Sequence, residues 1–268
     1  MPEPYAFLKG HGTENDFVLL PDHDGSVHGD LDADRVRALC DRHAGIGGDG
    51  VLRVVKHGDT WFMDYRNADG SVSEMCGNGV RVFALHLVQE GLVDPARPIE
   101  IDTRDGIKVL TLDGGLITAD MGRPQVLGES SVVVGDASWV ATHVDMGNPH
   151  AVAFVDSLDP DGPVGPLLEP PGHDAATYPD GVNVEFVVRR GERHVALRVH
   201  ERGSGETRSC GTGACAAMVA AAVADGVGPG STYRVDVPGG TLTVTWTADD
   251  RVLLTGPAVI VARGTTDL

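Results

Sequence analysis

The chain has 268 residues, 41% hydrophobic and 22% charged, so it is long enough for one large folded domain or two smaller ones and is not a disordered chain. Its 39 acidic and 21 basic side chains give a formal net charge of −18, which disfavours nucleic acid and anionic lipid as partners. No run approaches the roughly 20 apolar residues of a membrane span and no basic, then apolar, leader opens the chain, so we expect a cytoplasmic protein that does not bind membranes.

The first half of the chain predicts strands and two helices. Short runs rich in Val, Ile, Thr and aromatic residues, each bounded by Gly, Asp or Asn, are typical of strands. One helix is expected from residue 32 or 34 to residue 41, and a second follows Cys76 and ends before Gly91. The predicted strands are 17–20, 51–55, 61–65, 99–103, 107–112 and 116–121.

After Pro124 the same pattern starts again. Strand-like runs lead to an alanine-rich helix from about 210 to 224, which is apolar nearly all round and is therefore expected to be buried. Closing strands follow that helix. The predicted strands of this half are 140–146, 151–155, 184–188, 195–200, 233–237, 241–246, 252–255 and 259–262.

The main helix of each half opens with a similar tetrapeptide. Cys76-Gly77-Asn78-Gly79 matches Cys210-Gly211-Thr212-Gly213, and the 134 residues that separate them are half of the 268-residue chain. We therefore predict an α/β (α+β) fold of two pseudosymmetric domains, each a curved mixed sheet wrapped around its own central helix.

The four cysteines are too few for a disulfide scaffold and form no Cys-x-x-Cys pair. Cys40 and Cys215 occupy apolar positions inside helices, which predicts core residues. Cys76 and Cys210 instead stand at helix starts among Gly, Asn, Ser and Thr, and the exposed amides and dipole of a helix start lower a thiol pKa towards neutrality.

Such a helix start suits a particular reaction. Its amides bind a carboxylate, and its thiol is a base for the proton on the adjacent carbon. Two such thiols facing one carbon would remove the proton from one side and return it on the other, which inverts the stereocentre. A pyridoxal cofactor is the usual alternative and needs a lysine imine; Lys9, Lys56 and Lys108 leave that alternative open, although no phosphate-binding loop surrounds them.

Several motifs together resemble the diaminopimelate epimerase family, and they extend from residue 12 to residue 213. The resemblance therefore covers the whole chain. The motifs are Gly12-Thr13-Glu14-Asn15-Asp16-Phe17, Asn67-Ala68-Asp69-Gly70-Ser71, Glu74-Met75-Cys76-Gly77-Asn78-Gly79, Met146-Gly147-Asn148-Pro149-His150, Gly181-Val182-Asn183, Glu201-Arg202-Gly203 and Cys210-Gly211-Thr212-Gly213.

The resemblance implies interconversion of LL- and meso-diaminopimelate without pyridoxal or metal, on the route to lysine and peptidoglycan. Cys76 and Cys210 would be the two acid/base thiols, one starting each turnover as thiolate and the other as thiol. The remaining residues implied by the resemblance are the carboxylate-binding Gly77, Asn78, Gly211 and Thr212, the substrate contacts Asn15, Asn67, Asn148, Asn183, Glu201 and Arg202, and the thiol-tuning His150 and Glu201.

The resemblance also implies an organisation for the chain. The N-terminal domain would comprise residues 1–123 with a closing strand in 257–268, and the C-terminal domain residues 124–256, with the active site in the cleft between them. Dimers occur in the family, so a homodimer is possible.

One position departs from the family pattern. Many members carry a substrate-binding glutamine where this chain has Gly50, which has no side-chain amide. Gly50 closes a glycine-rich run, 45–50, that superficially resembles a dinucleotide-binding loop, but the run follows a helix and precedes a strand, the reverse of the required order.

Two rival functions stay open. A two-thiol racemase acting on proline, hydroxyproline or another amino acid without a distal amino-acid head would leave the distal Asn and Arg side chains without partners, at roughly 1–3 kcal/mol each. A thiol-redox or binding protein would use Cys76 and Cys210 as a reversible disulfide.

Overall fold

The computed structural model describes residues 3–268, which form three helices and eighteen strands. The helices are α1 (Ala33–Cys40), α2 (Gly77–Gln89) and α3 (Gly211–Ala224). The strands are β1 (Tyr5–Gly12), β2 (Asn15–Pro21), β3 (Gly50–His57), β4 (Thr60–Asn67), β5 (Ile99–Asp102), β6 (Lys108–Asp113), β7 (Leu116–Asp120), β8 (Gln125–Val134), β9 (Ala137–Asp145), β10 (Pro149–Phe154), β11 (Gly172–His173), β12 (Asn183–Gly191), β13 (His194–Glu201), β14 (Gly205–Thr207), β15 (Ser231–Val237), β16 (Gly240–Trp246), β17 (Val252–Gly256) and β18 (Val259–Thr266).

The chain divides into two compact units. The first contains the residues up to Ala119 together with Gly256–Leu268, and the second contains Asp120–Thr255. In the first unit β18 pairs antiparallel with β1, and β1 pairs antiparallel with β2. The next pairings are β2–β3 parallel, β3–β4 antiparallel, β4–β5 parallel, and β5–β6 and β6–β7 antiparallel.

The second unit repeats this order of orientations. The pairings β8–β9 and β9–β10 are antiparallel, β10–β12 is parallel, β12–β13 is antiparallel, and β13–β15 is parallel. The pairings β15–β16 and β16–β17 are again antiparallel. The same sheet is therefore built twice, and the fold class is the predicted one: an α+β fold of two pseudosymmetric domains.

Each sheet surrounds one helix. Helix α2 contacts strands β1 to β5 and β18, and α3 contacts β9, β10, β12, β13, β15 and β16. Both helices are buried over most of their length, α2 through ten of its residues and α3 through eleven. The alanine-rich sequence of α3 provides the small, apolar side chains that such an enclosed helix favours, whereas α2 also buries the polar side chains of Asn78, Arg81 and His86.

The predicted helices are confirmed. Asp32 caps α1, where its side chain accepts a 2.8 Å hydrogen bond from the amide of Arg35. Cys40 and Cys215 are buried core residues, as predicted. Strands β1, β8, β11 and β14 were not predicted. Within residues 3–268, no helix is both long enough and apolar enough to cross a membrane.

Candidate active site

Cys76 is the N-cap of α2. Its backbone is extended, and its Sγ accepts a 3.4 Å hydrogen bond from the amide of Gly79. A side chain at residue 79 would press on Cys76 and Leu52, with its Cβ 3.3 Å from Cδ2 of Leu52. Glycine therefore lets the first turn of the helix close against the core, which leaves the half-buried thiol at its start.

Asn15 and Asn78 lie beside this thiol. The Oδ1 atom of Asn15 is 3.5 Å from Sγ of Cys76 and accepts a 3.1 Å hydrogen bond from Nδ2 of Asn78. Both amides are buried. Three of the predicted site residues therefore lie together in the first unit, and we call Cys76, Asn15 and Asn78 the first cysteine site.

Two charged residues that the sequence did not single out hold this site. Asp49 Oδ2 accepts a 2.7 Å hydrogen bond from Nδ2 of Asn15, and Asp49 Oδ1 lies 2.7 Å from Nη2 of Arg42. Arg42 also pairs with Asp16. Burial raises the pKa of Asp49, and the hydrogen bond from Asn15 offsets part of that rise. At Asp16 burial also acts to raise the pKa, but the hydrogen bonds from Arg42 and Lys9 outweigh it and hold the pKa of that carboxyl below its usual range.

Arg81 lies behind the first turn of α2 and is completely buried. Its Nη1 donates to the carbonyl of Gly77 at 3.0 Å, and its Nη2 donates to Oδ1 of Asn78 at 2.8 Å. These bonds fix the orientation of the Asn78 amide. Sequence reasoning missed Arg81, although a cation inside the predicted apolar helix was a visible signal.

Asn67 ends β4 opposite Gly50 of β3. Its Nδ2 donates to Oγ of Ser71 at 2.9 Å, which closes the turn after the strand. At Gly50 a Cβ would lie 2.5 Å from the carbonyl oxygen of Arg66 and 2.7 Å from Cε2 of Tyr65. The backbone of β4 therefore comes too close to residue 50 for a side chain to fit, which accounts for glycine in place of glutamine at this position of the chain.

Cys210 is the N-cap of α3 and repeats the geometry of Cys76. Its Sγ accepts from the amide of Gly213 at 3.4 Å and lies 3.5 Å from Oγ1 of Thr212. The residue is 5% exposed. Glu201, at the end of β13, is hydrogen-bonded to the Cys210 thiol and accepts a hydrogen bond from the hydroxyl of Thr207. We call Cys210, Thr212 and Glu201 the second cysteine site.

The environment of Cys210 does not lower its pKa. Burial, followed by the negative charges of Glu201 and Glu185, raises the pKa of the Cys210 thiol well above its usual value. Burial likewise raises the pKa of Glu201. The expectation of a pKa lowered by the helix start is therefore wrong for Cys210, because the contact with the Gly213 amide is outweighed. The same expectation for Cys76 stays a prediction.

A polar chain leads from this site into the core. Nδ2 of Asn148 lies 3.5 Å from Oγ1 of Thr212, and Oδ1 of Asn148 lies 3.0 Å from Nε2 of His150. The other ring nitrogen of His150 is 2.7 Å from Oε1 of Glu185, and both of those side chains are fully buried. Glu185 was missed, although a carboxylate inside the predicted apolar strand 184–188 was the available signal.

Asn183 and Arg202 lie together at neighbouring strand ends. Oδ1 of Asn183 accepts a 2.9 Å hydrogen bond from the backbone amide of Arg202, and its Nδ2 donates to the carbonyl of Pro149 at 3.4 Å. The exposed guanidinium of Arg202 donates to the carbonyl of Asp180 at 3.3 Å. Asn183 is thus a buried anchor, while Arg202 presents a cation at the surface of the second unit.

Each unit therefore offers a thiol, the amides of a helix start and oriented side-chain amides. Those groups can bind a carboxylate and move a proton on the adjacent carbon. Within residues 3–268, no three His, Cys, Asp or Glu side chains are grouped so as to hold a metal ion.

The chain is similar to known proteins over nearly its whole length. The family described as diaminopimelate epimerase matches residues 7–127 and 142–261. A diaminopimelate epimerase of Streptomyces coelicolor is 56% identical, with 98% of this chain and 95% of the relative covered, and one of Corynebacterium glutamicum is 47% identical, with 96% of each covered. A solved phenazine biosynthesis protein of the PhzF family from Bacillus anthracis shares the fold, with a TM-score of 0.73 at 16% identity over 99% of this chain and 100% of the other.

Proposed function

The chain belongs to the diaminopimelate epimerase family of enzymes, and we propose that it interconverts LL- and meso-diaminopimelate by a cofactor-independent, two-thiol mechanism. The supporting observation is the duplicated N-cap: in each unit a cysteine sulfur accepts the amide of the second glycine that follows it, at 3.4 Å in both. Packing alone could account for a single cysteine at a helix start. It does not account for a matched pair at equivalent positions of the two units, whereas inversion of a carbon by two bases requires such a pair.

The reaction moves one proton off the α-carbon and another onto it. In one direction the Cys76 thiolate removes the α-proton and the Cys210 thiol donates its proton to the opposite face, which leaves Cys76 as thiol and Cys210 as thiolate. The reverse direction exchanges these roles. Because each thiol's charge alters the other's titration, the pair titrates with shared apparent pKa values.

Backbone amides stabilise the intermediate charge. When the α-proton leaves, negative charge spreads onto the adjacent carboxylate, and fixed N–H donors at a helix start stabilise that charge without reorganising. Those donors would come from Gly77 and Asn78 in the first unit and from Gly211 and Thr212 in the second. Diaminopimelate carries two carboxylates and two ammonium groups, so the net charge of −18 neither steers it in nor repels it as a whole, and binding depends on these local donors.

The distal end of the substrate needs its own contacts. An amino-acid head carries a carboxylate and an ammonium, which amide side chains and a guanidinium bind with defined geometry. We assign substrate contacts to the predicted residues Asn15, Asn67, Asn148, Asn183 and Arg202, most of them at this distal end; Asn15 and Asn148 lie beside the two cysteine sites. A place on the route to lysine and peptidoglycan follows from the same proposal, whereas a cytoplasmic location and a homodimer stay predictions.

A lysine-based mechanism is less well supported by the lysine contacts. Lys9 is paired with Asp16 at 2.6 Å, and Lys108 with Asp105 at 2.6 Å. Lys56 lies over the ring of Trp61. Two of the three lysines are therefore already engaged in ion pairs with carboxylates.

The experiment is a substrate comparison with purified protein. LL-Diaminopimelate, L-proline and trans-4-hydroxy-L-proline are incubated separately in D₂O, and the α-proton signal is followed by NMR. We expect loss of the α-proton signal and formation of the meso isomer with diaminopimelate alone. If the protein exchanges the α-proton of proline but not that of diaminopimelate, the proposed substrate is wrong. If it exchanges the α-proton of none of the three compounds, the thiol-redox alternative is favoured.

A further inference from the structure

Glu185 is a carboxylate inside β12, and its side chain is fully buried. In the register of the sheet it occupies the position that Val51 occupies in the first unit, 134 residues earlier. The equivalent side chain of the first unit is thus apolar. The sheet around α3 therefore contains a charge that the shared fold does not require.

The carboxylate of Glu185 is paired with a buried histidine. Its Oε1 is 2.7 Å from Nδ1 of His150, whose side chain is also fully buried, while its Oε2 has no hydrogen-bond partner within residues 3–268. The carboxylate lies against the first turn of α3, because a Cβ on Gly213 would fall 2.6 Å from Oε1. A buried carboxylate with so few partners is stabilised by an opposite charge beside it, which favours a positive charge on His150.

The other side of the His150 ring also faces an oxygen. Its Nε2 lies 3.0 Å from Oδ1 of Asn148. An amide oxygen only accepts hydrogen bonds, so the proton of this bond belongs to Nε2. With a carboxylate oxygen at Nδ1 and an amide oxygen at Nε2, the ring donates on both sides, as the doubly protonated imidazolium does.

Other titratable side chains lie near this ring. Burial raises the pKa of Glu201, on β13; the charge of Glu185 adds to this rise, and the charge of His150 opposes it. Burial lowers the pKa of His143, on β9, and the charge of His150 adds to that effect. His143 is therefore neutral at pH 7, which leaves His150 as the cation that compensates the charge of Glu185.

The protonation of His150 determines which way the Asn148 amide faces. Because Nε2 donates to Oδ1, Nδ2 of Asn148 lies on the other side, 3.5 Å from Oγ1 of Thr212 at the start of α3. A ring without a proton on Nε2 would instead accept from Nδ2, and Oδ1 would then face the helix start. A carboxylate bound there meets a donor in the first arrangement and a repelling oxygen in the second.

We propose that Glu185 is a positioning residue, which holds His150 as an imidazolium and thereby turns the Asn148 amide so that its Nδ2 donates to a carboxylate of the substrate. This inference rests on the proposed function, because it concerns how the substrate of that reaction is bound. Glu185 acts through His150 and Asn148 and does not touch the substrate itself.

NMR of the substrate-free enzyme tests the state of the ring. Histidine is labelled with ¹⁵N, and the ring signals of His150 are identified as those missing from His150→Gln. At pH 7 we expect both ring nitrogens of His150 to carry protons in the wild type, and only one of them in Glu185→Gln, which keeps the size of the side chain but not its charge. The exposed Glu192→Gln is the matched control and should retain the wild-type signals. A wild-type ring with one proton, or identical ring signals in the wild type and Glu185→Gln, would overturn the proposal.

Steady-state kinetics test the link from Glu185 to Asn148. Glu185→Gln should lower kcat/KM for LL-diaminopimelate about tenfold, the effect of about one hydrogen bond, and Asn148→Ala should lower it at least as much. Because both changes act on the same amide, the double variant should be no slower than Asn148→Ala alone. Losses that multiply in the double variant would show that Glu185 acts by another route and would overturn its positioning role.

If Glu185→Gln fails to fold by circular dichroism, the wild-type spectrum decides: an imidazolium supports the proposal and a neutral ring overturns it. The ring signals are read without substrate, so they are independent of the diaminopimelate exchange in D₂O that tests the proposed function. An enzyme with the imidazolium but without that exchange would contradict the proposed function and leave the charge state of His150 standing.

Discussion

Asn15 donates to Asp49 through Nδ2 at 2.7 Å, and this bond decides which way the Asn15 amide faces. With Nδ2 held by the carboxylate, Oδ1 points to the Cys76 sulfur. We expect Asp49→Ala to lower kcat/KM about 10- to 100-fold, since a hydrogen bond to a charged group contributes about 1.5–3 kcal/mol. Steady-state kinetics with LL-diaminopimelate measure the effect, and the exposed Asp30→Ala is the control. Unchanged kinetics in Asp49→Ala would show that Asn15 needs no such support.

Replacing either proposed base should stop epimerisation while the fold persists. A serine hydroxyl oxygen can replace the cysteine sulfur as the N-cap acceptor of α2 or α3, but a hydroxyl is a far weaker base than a thiolate. We expect Cys76→Ser and Cys210→Ser each to lose at least about 100-fold in kcat, with circular dichroism unchanged. Cys215→Ser, at a core position of α3, serves as the control for cysteine loss. Wild-type turnover in either N-cap variant would remove that thiol from the mechanism.

Gly50 should not tolerate even one methyl group. A Cβ there meets a backbone oxygen at 2.5 Å, so the strand pair β3–β4 must separate to admit it. We expect Gly50→Ala to lower the free energy of unfolding by about 1–3 kcal/mol in urea titrations. Gly191→Ala, where nothing lies within 4 Å of the added Cβ, is the matched control. A variant as stable as Gly191→Ala would show that the approach at Gly50 relaxes easily.

Two buried histidines should make the protein sensitive to mild acid. Burial lowers the pKa of His28 to about 4 and that of His86 to about 4, whereas an unfolded chain binds a proton to each near pH 6.5. Because the unfolded state binds more protons between these values, stability is highest above pH 6.5 and falls as the pH drops towards 4, by up to about 1.4 kcal/mol per pH unit for each histidine. Urea unfolding at pH 7 and at pH 5 measures this slope.

His86→Gln isolates one of the two contributions. In this variant the free energy of unfolding should differ less between pH 7 and pH 5 than in the wild type, while the exposed His43→Gln should keep the wild-type difference. If the free energy of unfolding changes by the same amount between the two pH values in the wild type and in His86→Gln, the acid sensitivity comes from other groups.

The sequence predicted helices better than strands. Helices α2 and α3 carry long apolar patterns with clear starts and ends, so their bounds agree closely with prediction. Strand β1 was missed because Lys9 and two glycines interrupt its alternation, and it is held by pairing on both sides with β2 and β18. Strand β8 is largely exposed and contains Gly128 at a bulge, so it lacks a buried face that a pattern could reveal.

For the site, the sequence identified residues with recognisable local motifs and missed the charged residues that support them. The helix-start cysteines and the asparagines in turns carry local signals. Asp49 and Glu185 contact Asn15 and His150 across 34 and 35 residues of sequence, and only tertiary packing determines which polar groups those two carboxylates meet. Arg81 contacts Asn78 within one turn of α2, so its helical spacing was a local signal that was overlooked. The raised pKa of Cys210 also depends on tertiary packing, since its causes are burial of the thiol and then the two carboxylates that β12 and β13 bring beside it.

The most direct test of the two-base mechanism is the isotope content of the first product formed in D₂O. At low conversion, the meso-diaminopimelate formed from LL-diaminopimelate should carry deuterium at the inverted carbon, because the donating thiol exchanges its proton with solvent, while the unreacted LL isomer should retain protium. NMR and mass spectrometry of the separated isomers measure both. Product that retains the original proton at that carbon would contradict a mechanism in which one thiol removes the proton and another returns it.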